Sequence, residues 1–218
     1  MIKFNHIYKI YEKDIKALDD ADFSVEKGEF VFLTGPSGAG KTTVFNLLYR
    51  EETPDMGTIL VEGEDIAHIS TSRIPYYRRR IGFVFQDFKL LFDRSIFENI
   101  ALPLVITSTA PDFIYQSVNE AIKRIGLEGR EDVNPWHLSG GEKQKVAMAR
   151  AMILNPPFIM ADEPTGNLDE ESAWQIMAML EEINKKGTTV LVASHNKEIV
   201  SRMGKRVIKL EKGKVIGQ

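Results

Sequence analysis

The sequence predicts an α/β protein in which helices cover a mainly parallel sheet and a helical lobe interrupts the chain. Unbroken apolar runs such as FVFLT (30–34), FIMAD (158–162) and TTVLVAS (188–194) are typical of strands buried on both faces. Helical stretches alternate with these runs, which favours parallel pairing of the strands. Between about Asp87 and Asn155 the pattern is helical only, and this stretch predicts the inserted lobe.

The N-terminal part of the chain predicts strands before the first helix. The alternating stretches IKFNHIYKIY (2–11) and ALDDADFSV (17–25) precede the buried run FVFLT, and KGE (27–29) supplies the turn between them. A helix should run from about Lys41 to Tyr49. TILVEG (58–63) and IGFVFQ (81–86) predict further strands. We therefore expect a single domain over 1–218, with its core at 1–86 and 156–218 and a helical subdomain at 87–155.

Amphipathic periodicity marks the helices of the lobe and of the second half of the core. One helix should end at Gly126, and another should start at Ser139 and stop before NPP (155–157). The apolar face of the helix that ends at Gly126 consists of Ile114, Val118, Ala121, Ile122 and Ile125. A later helix, in the second half of the core, has an apolar face of Ala173, Met177 and Leu180.

Composition narrows the possible functions. The net charge of −3 gives no electrostatic reason to expect a nucleic-acid partner. Without cysteine the chain has no disulfides or thiolate metal sites. The N-terminus lacks the apolar core of a signal peptide, and the longest apolar run, IALPLVI (100–106), is far shorter than the ~20 residues of a membrane span. We therefore expect any membrane contact to go through a partner.

The segment GPSGAGKT (35–42) matches the phosphate-binding pattern G-x-x-x-x-G-K-[ST] between a predicted strand and a predicted helix. Its glycines let the backbone wrap phosphates, Lys41 offers a charge to the β and γ phosphates, and the Thr42 hydroxyl can ligate Mg²⁺. A glycine-rich turn without function would not need this flanking context. The sequence thus predicts a P-loop NTPase whose nucleotide contacts are Gly35, Pro36, Ser37, Gly38, Ala39, Gly40, Lys41, Thr42 and Thr43.

Polar residues follow three of the predicted strands. Asp162 can hold Mg²⁺ through water, and Glu163 can polarise the attacking water. Gln86 ends IGFVF, and His195 follows TTVLVAS. Taken singly, these residues fit a solvated strand end, a surface amide and a structural hydrogen bond. Because ligands bind at the carboxyl ends of parallel strands, all four can converge on one γ-phosphate.

A second helix start is also suited to an anion. In LSGGEKQ (138–144) a serine and two glycines, Ser139, Gly140 and Gly141, precede the predicted helix and expose backbone N–H groups at its positive end. Asp169, in TGNLDE, fits the N-cap of the next helix.

The order of these motifs resembles the ABC-type ATPase family over essentially the whole chain. The phosphate loop, the strand-terminal Gln, LSGGE, ADEPTGNLD and the strand-terminal His carry the resemblance. It implies a RecA-like core with an N-terminal antiparallel β subdomain and an inserted α-helical subdomain. It also implies ATP hydrolysis with Mg²⁺ held by Thr42, Gln86 and Asp162, catalysis by Glu163, His195 and Gln86, and stacking of Tyr11 on adenine.

The resemblance also explains the two anion-binding helix starts. In this family two subunits pack head to tail, and the LSGGE segment of one covers the ATP held by the other. Ser139 and Gly141 would then serve the neighbour's nucleotide, which implies an ATP-dependent homodimer. The resemblance also implies that Gly140 and Asp169 are nucleotide contacts. Lys143 and Lys145 stand where Gln and Arg are frequent in the family, beyond the glycines that face phosphate, so we expect tuning rather than loss of function.

Within the family, residues 73–104 resemble the cell-division ATPases most. This branch implies an integral membrane subunit as partner, a location at the cytoplasmic face of the membrane, and control of cell-wall hydrolysis. Two alternatives are an ATPase of a lipoprotein-release or efflux transporter, and a nucleotide-gated division scaffold with incidental hydrolysis. We expect apolar residues around Gln86, including Leu91 and Phe92, to form a groove for a short helix of the membrane subunit.

Overall fold

The computed structural model describes residues 1–12 and 15–218. Its strands are β1 Ile2–Tyr11, β2 Ile15–Val25, β3 Phe30–Thr34, β4 Met56–Val61, β5 Glu64–Asp65, β6 Ile81–Val84, β7 Phe158–Asp162, β8 Thr189–Ala193, β9 Arg206–Glu211 and β10 Lys214–Gly217. Its α-helices are α1 Lys41–Leu48, α2 Ile74–Arg78, α3 Ile96–Ile106, α4 Pro111–Arg124, α5 Gly140–Met152, α6 Glu170–Lys185 and α7 Lys197–Met203.

The central sheet has six strands in the order β10-β9-β3-β8-β7-β6. All neighbouring pairs are parallel except β9 with β10, which are antiparallel. Every residue of β8 is buried, as are the first four residues of β3 and of β7. This accounts for their unbroken apolar sequences, because a strand covered on both faces has no solvent-facing side. The carboxyl ends of β3, β6, β7 and β8 consequently meet at one edge of the sheet.

The N-terminal part of the chain forms a second, antiparallel sheet with the strand order β2-β1-β4-β5. Its inner face shares one apolar cluster with α1 and with one face of the central sheet. Phe4 and Phe23 stack there with their ring centroids 4.4 Å apart. The alternation of buried and exposed residues in β1 follows from this arrangement, since only one face of the strand is covered.

Helices α3, α4 and α5 form a separate apolar cluster. Helix α3 begins with a capping box in which Ser95 and Glu98 bond each other's backbone N–H groups. The predicted face of α4 is covered, with Val118 and Ile122 fully buried. Pro103 is accommodated inside α3, so IALPLVI is a helical segment, and its residues Ile100, Ala101 and Leu104 are buried in this cluster.

The architecture confirms the predicted fold class, a parallel-sheet core with an antiparallel β part and a helical part. In the described ranges, 1–12 and 15–218, no helix is long and apolar enough to cross a membrane. Helices α2, α3 and α7 and strands β5, β9 and β10 were not predicted individually. All except α3 are short, and β9 and β10 carry charged residues that hide their strand pattern.

Candidate nucleotide-binding and hydrolysis site

A cleft of about 590 Å³ opens at the edge where the parallel strands end. It brings together residues from the phosphate loop (35–42), the start of β2 and three strand ends. Its lining consists of Ile15, Lys16, Ala17, Ser37, Gly38, Ala39, Gly40, Lys41, Thr42, Thr43, Gln86, Asp162, Glu163 and His195. The four strand-terminal residues predicted to converge therefore face one cleft.

Close backbone packing shapes the phosphate loop, and the helix that follows it, α1, has no side-chain hydrogen bond at its N-terminus. Gly40 has a φ of 110°, and a Cβ there would lie 2.6 Å from the Ala17 carbonyl oxygen, so only glycine fits. Gly40 is the N-cap of α1 and provides no side-chain hydrogen bond to the first helical N–H groups. These groups remain available to an anion at the positive end of the helix.

Lys41 is held over the loop that it follows. Its Nζ donates hydrogen bonds to the carbonyl oxygens of Gly35, at 2.7 Å, and Pro36, at 3.2 Å. The ammonium thus lies against the loop beside the cleft. A lysine in this position can interact with a phosphate bound at the N-terminus of α1.

Glu163 and His195 form a pair across adjacent strands. Asp162 pairs with Ala193 in the register of β7 and β8, which places the residues that follow each strand side by side. Glu163 Oε1 lies 2.8 Å from His195 Nδ1, and the backbone N–H of His195 points to Oε2 at 3.3 Å. The Glu163 side chain is only 12% exposed, whereas that of His195 is 67% exposed. The carboxylate is therefore fixed at the cleft wall, and the imidazole is accessible to a ligand.

The environment of the Asp162 carboxyl group disfavours its ionised form. Burial, together with the adjacent charge of Glu163, raises the pKa of Asp162 above its ordinary value, and Lys41 opposes this only in part. A bound divalent cation would favour the ionised carboxylate. Thr42, Gln86 and Asp162 all line the cleft and offer oxygen ligands of the kind that Mg²⁺ prefers. The donor set therefore fits a magnesium ion.

The LSGGE segment starts α5 as predicted. Ser139 is the N-cap, and its hydroxyl accepts a hydrogen bond from the Glu142 N–H while the Glu142 carboxylate accepts one from the Ser139 N–H. Burial alone would raise the pKa of Glu142, but its bonds to Ser139 and to the Arg130 guanidinium reverse this and lower it. A Cβ on Gly141 would lie 2.5 Å from the Ser172 hydroxyl, so the glycine allows α5 to approach the start of α6.

The cleft lining given above, which covers the described part of the chain, does not include Ser139, Gly140, Gly141 or Asp169. One chain therefore places the two helix starts that are predicted to bind anions at separate locations. Asp169 is the N-cap of α6 and accepts hydrogen bonds from the Ser172 N–H and hydroxyl, which lower the pKa of the Asp169 carboxyl.

Tyr11 ends β1 and is half-buried, with Lys9 Nζ 5.3 Å from the centre of its ring. It pairs in register with Ile15, which lines the cleft, although Tyr11 itself is not in that lining. Its stacking on adenine stays a prediction.

Sequence reasoning missed Ile15, Lys16 and Ala17 as cleft residues. They lie on a strand whose charged and apolar residues mix without a motif, and they reach the cleft because the Ala17 carbonyl packs against Gly40 of the phosphate loop. It also missed Gln144, a polar residue on the otherwise small or apolar face of α5 that contains Gly141 and Met148. Its position at i+3 from Gly141 is a signal that periodicity could have found.

Comparisons with known proteins agree with this site. A family model described as ABC transporter matches residues 18–166. The chain is 47% identical over 216 residues to the cell division ATP-binding protein FtsE of Bacillus subtilis, covering 99% of this chain and 95% of that protein. It is 41% identical over 217 residues to the Escherichia coli protein of the same name, covering 100% of this chain and 98% of that protein.

Among solved structures, the fold is similar to a dimeric ATP-binding cassette in a post-hydrolysis state bound to ADP and Pi. The TM-score is 0.90 at 35% identity, with 99% of this chain and 97% of that chain covered. The phosphate loop, the paired Glu163 and His195 and the family match over residues 18–166 lead to one assignment. The chain belongs to the ABC transporter family and is one of its ATP-hydrolysing subunits.

Proposed function

We propose that this ATPase is the cytoplasmic subunit of a cell-division membrane complex of the FtsEX type. It would associate with an FtsX-like integral membrane subunit at the cytoplasmic face of the membrane. ATP-driven movement would pass through that subunit to control cell-wall hydrolysis. The names and the high coverage of the similar proteins support this branch of the family.

The observation that carries the proposal is the adjacency of two cavities just beyond the end of β6. Gln86 lines the nucleotide cleft, and Phe85, its neighbour in the chain, lines a groove of about 430 Å³. We call this the partner groove; its lining residues are Tyr49, Pro75, Arg78, Arg79, Ile81, Phe83, Phe85, Lys89, Leu102, Pro103, Ile106, Arg150, Ala151 and Leu154. A single peptide unit thus connects the residue that would sense the γ-phosphate to the proposed partner surface.

The lining of the partner groove combines apolar residues with four cationic ones. Arg78, Arg79, Lys89 and Arg150 are its charged residues, and its lining in the described chain contains no acidic residue. Arg150 also donates hydrogen bonds to the carbonyl oxygens of Phe88 and Lys89, which fixes the loop after Gln86 to α5. A short amphipathic helix with acidic residues beside its apolar face would match this surface.

The lining of the partner groove includes Pro75, on the N-terminal side of Gln86, but neither Leu91 nor Phe92. Phe83 and Phe85 before Gln86, and α3 beyond it, supply the lining instead of Leu91 and Phe92. Phe92 is half-buried and packs on Trp136 with a centroid distance of 4.4 Å. Leu91 is 39% exposed outside the groove.

In the proposed hydrolysis mechanism, Glu163 orients and polarises the attacking water at the γ-phosphate. His195 holds the Glu163 carboxylate and offers its exposed imidazole to the phosphate. Lys41 and the N-terminus of α1 stabilise charge on the phosphate oxygens. Mg²⁺, when bound by Thr42, Asp162 and Gln86, would neutralise charge on the β and γ phosphates.

We further propose that the working site is composite. Ser139 and Gly141 lie outside the cleft of their own chain, so they would close the cleft of a second copy and exclude water from it. A two-fold dimer would contain two such sites. The dimeric state of the similar solved cassette supports this arrangement.

Mixing two inactive variants tests the composite site. A Ser139→Arg chain keeps its own phosphate loop and Glu163, and a Lys41→Ala chain keeps its LSGGE segment. A mixed dimer has one site with both defects and one with neither. We expect up to about a quarter of wild-type activity, because half of randomly paired dimers are mixed and each has one intact site. If both variants fold and dimerise but no activity returns, the composite site is ruled out.

Co-expression with the FtsX-like membrane protein of the same organism tests the cellular assignment. The pair should co-purify, and ATP turnover should depend on the membrane subunit. A stable complex with a lipoprotein-release or efflux permease instead would assign the chain to a transporter. An FtsX-like complex that functions equally well with Glu163→Gln would favour the scaffold role.

A further inference from the structure

The side chain of Gln144 joins the LSGGE helix to the loop that carries Glu163. Gln144 is fully buried in α5, and its Nε2 donates a hydrogen bond to the Pro164 carbonyl oxygen at 2.9 Å. Pro164 directly follows Glu163. One helix face thus contacts this part of the core three times: Gly141 packs against Ser172, Gln144 bonds Pro164, and Met148 enters the core cluster.

Core stability does not explain this amide. The Gln144 Oε1 atom is buried without a hydrogen-bond partner in the described part of the chain. A buried amide with one satisfied and one unsatisfied polar atom contributes little net stability. The hydrogen bond from Gln144 to Pro164 therefore contributes more to the position of the loop after Glu163 than to the stability of α5 packing.

The loop needs such a restraint because Glu163 has an unusual backbone. Its φ is +46°, in the left-handed region that non-glycine residues adopt at a cost. The Glu163 N–H bonds Ala193 O, and its carbonyl accepts from Gly166 N. Pro164, which follows Glu163, has no backbone N–H group to donate. A hydrogen bond to its carbonyl oxygen is therefore the way in which its backbone can be restrained. Gln144 holds that carbonyl from a helix anchored in the core.

We propose that Gln144 is a positioning residue for Glu163, acting within its own chain from the LSGGE helix. Since α5 begins at Ser139, movement of α5 when its N-terminus engages a phosphate would be transmitted to Pro164 and so to Glu163. The role of the helix start in a second copy's site rests on the proposed function. The hydrogen bond to the catalytic loop does not depend on it.

The first test is the kinetics of Gln144→Met, which keeps the length of the side chain and removes the donor. We expect kcat to fall roughly 10- to 100-fold, as for other misplaced catalytic groups, with the KM for ATP within about twofold of wild type. Gln175→Met, an exposed substitution on α6, is the matched control. A normal kcat in a folded Gln144→Met protein would overturn the proposal.

Gln144→Glu separates positioning from packing, and it serves if Gln144→Met unfolds. A protonated carboxyl group donates to Pro164 O, whereas a carboxylate repels that oxygen. Relative to wild type, the kcat of Gln144→Glu should therefore rise as the pH is lowered and fall as it is raised. A ratio to wild type that does not change with pH would contradict a role for the hydrogen bond.

Mixed dimers show on which chain Gln144 acts. The intact site of a Ser139→Arg and Lys41→Ala mixture uses Glu163 of the Ser139→Arg chain. Adding Gln144→Met to that chain should lower the recovered activity roughly 10- to 100-fold. Adding it to the Lys41→Ala chain should leave most of that activity. Equal losses in both arrangements would overturn action within the chain. If the parent mixture recovers nothing, the composite site fails, and the two single variants still decide the role of Gln144.

Discussion

The Oε1 atom of Glu163 lies 2.8 Å from the Nδ1 atom of His195, and the two residues follow neighbouring parallel strands. The register of β7 with β8 brings them together, so the pair is a consequence of sheet topology. The contact fixes the carboxylate that would act on water. It also fixes the imidazole at the mouth of the cleft, where a γ-phosphate would bind.

Replacing Glu163 by Gln should slow hydrolysis by roughly 10²–10⁴-fold, because an amide cannot accept a proton from water and a positioned base contributes about this much. ATP affinity should change little, since Lys41 and the start of α1 remain. Single-turnover hydrolysis and equilibrium binding of labelled ATP measure the two effects. Wild-type turnover in this variant would place the base elsewhere.

Replacing His195 by Ala should reduce kcat less than Glu163→Gln does, by roughly tenfold or more, because the base loses its orienting partner and remains present. The effect is measured by steady-state turnover at saturating ATP. His68→Ala is a suitable control, since His68 is exposed and contacts only Asp65 among the described acidic side chains. Equal turnover by His195→Ala and His68→Ala would contradict a role for His195.

Asp162→Asn should stabilise the nucleotide-free protein at neutral pH while it impairs Mg²⁺-dependent hydrolysis. The folded protein raises the pKa of Asp162, so the stability contributed by this group is greatest below its unfolded pKa and is lost as the pH rises through the folded value. The variant avoids that loss. Its gain in Tm over wild type should be largest near pH 7 and should vanish as the pH falls to about 4. A gain that grows on acidification would contradict this assignment.

Charge at the partner groove should release the membrane subunit without affecting nucleotide binding. Ile106 lines the groove and is 54% exposed, so Ile106→Glu can fold and yet place an acid among its apolar lining residues. Val105→Glu is the matched control, because Val105 is 57% exposed and lies outside the groove lining. Co-purification with the membrane subunit reports the result. Retention of the partner by both variants would locate the contact elsewhere.

Replacing Lys41 by Ala should greatly weaken ATP binding, because the phosphates lose an ammonium that the structure holds against the phosphate loop. Titration with a fluorescent ATP analogue measures the loss. Thermal unfolding checks that the loop, from which two hydrogen bonds have been removed, is still folded. An almost unchanged affinity would remove Lys41 from this role.

Much of the core was predictable because its strands are buried on both faces and therefore keep a clear apolar pattern. β3 and β7 match the predicted limits, and the helix that starts at Ser139 is marked by its own cap. The convergence of Gln86, Glu163 and His195 followed from the rule that parallel strands end at one edge. Motif residues could be named as candidates from the sequence because their chemistry restricts residue type at fixed spacing.

The features of the site that could not be predicted from the sequence depend on contacts between segments that are distant in the chain. Ile15 to Ala17 line the cleft because β2 packs beside Gly40 of the phosphate loop, and Gln144 reaches Pro164 through the packing of α5 on the core. The partner groove combines β6, α2 and α3, so the aromatic residues clustered in sequence around Leu91 did not locate it. Local composition cannot specify which of several exposed apolar residues share a surface.

The molar mass of Glu163→Gln with and without ATP tests most directly whether two copies share a nucleotide. The chain has a mass of 24.7 kDa, and with ATP the variant should form a species of twice that mass by light scattering. Adding Ser139→Arg should keep ATP bound and prevent the dimer, because the blocked helix start can no longer close the other copy's cleft. A Glu163→Gln protein that binds ATP and stays monomeric, or a dimer that forms equally well with Ser139→Arg, would contradict the composite site.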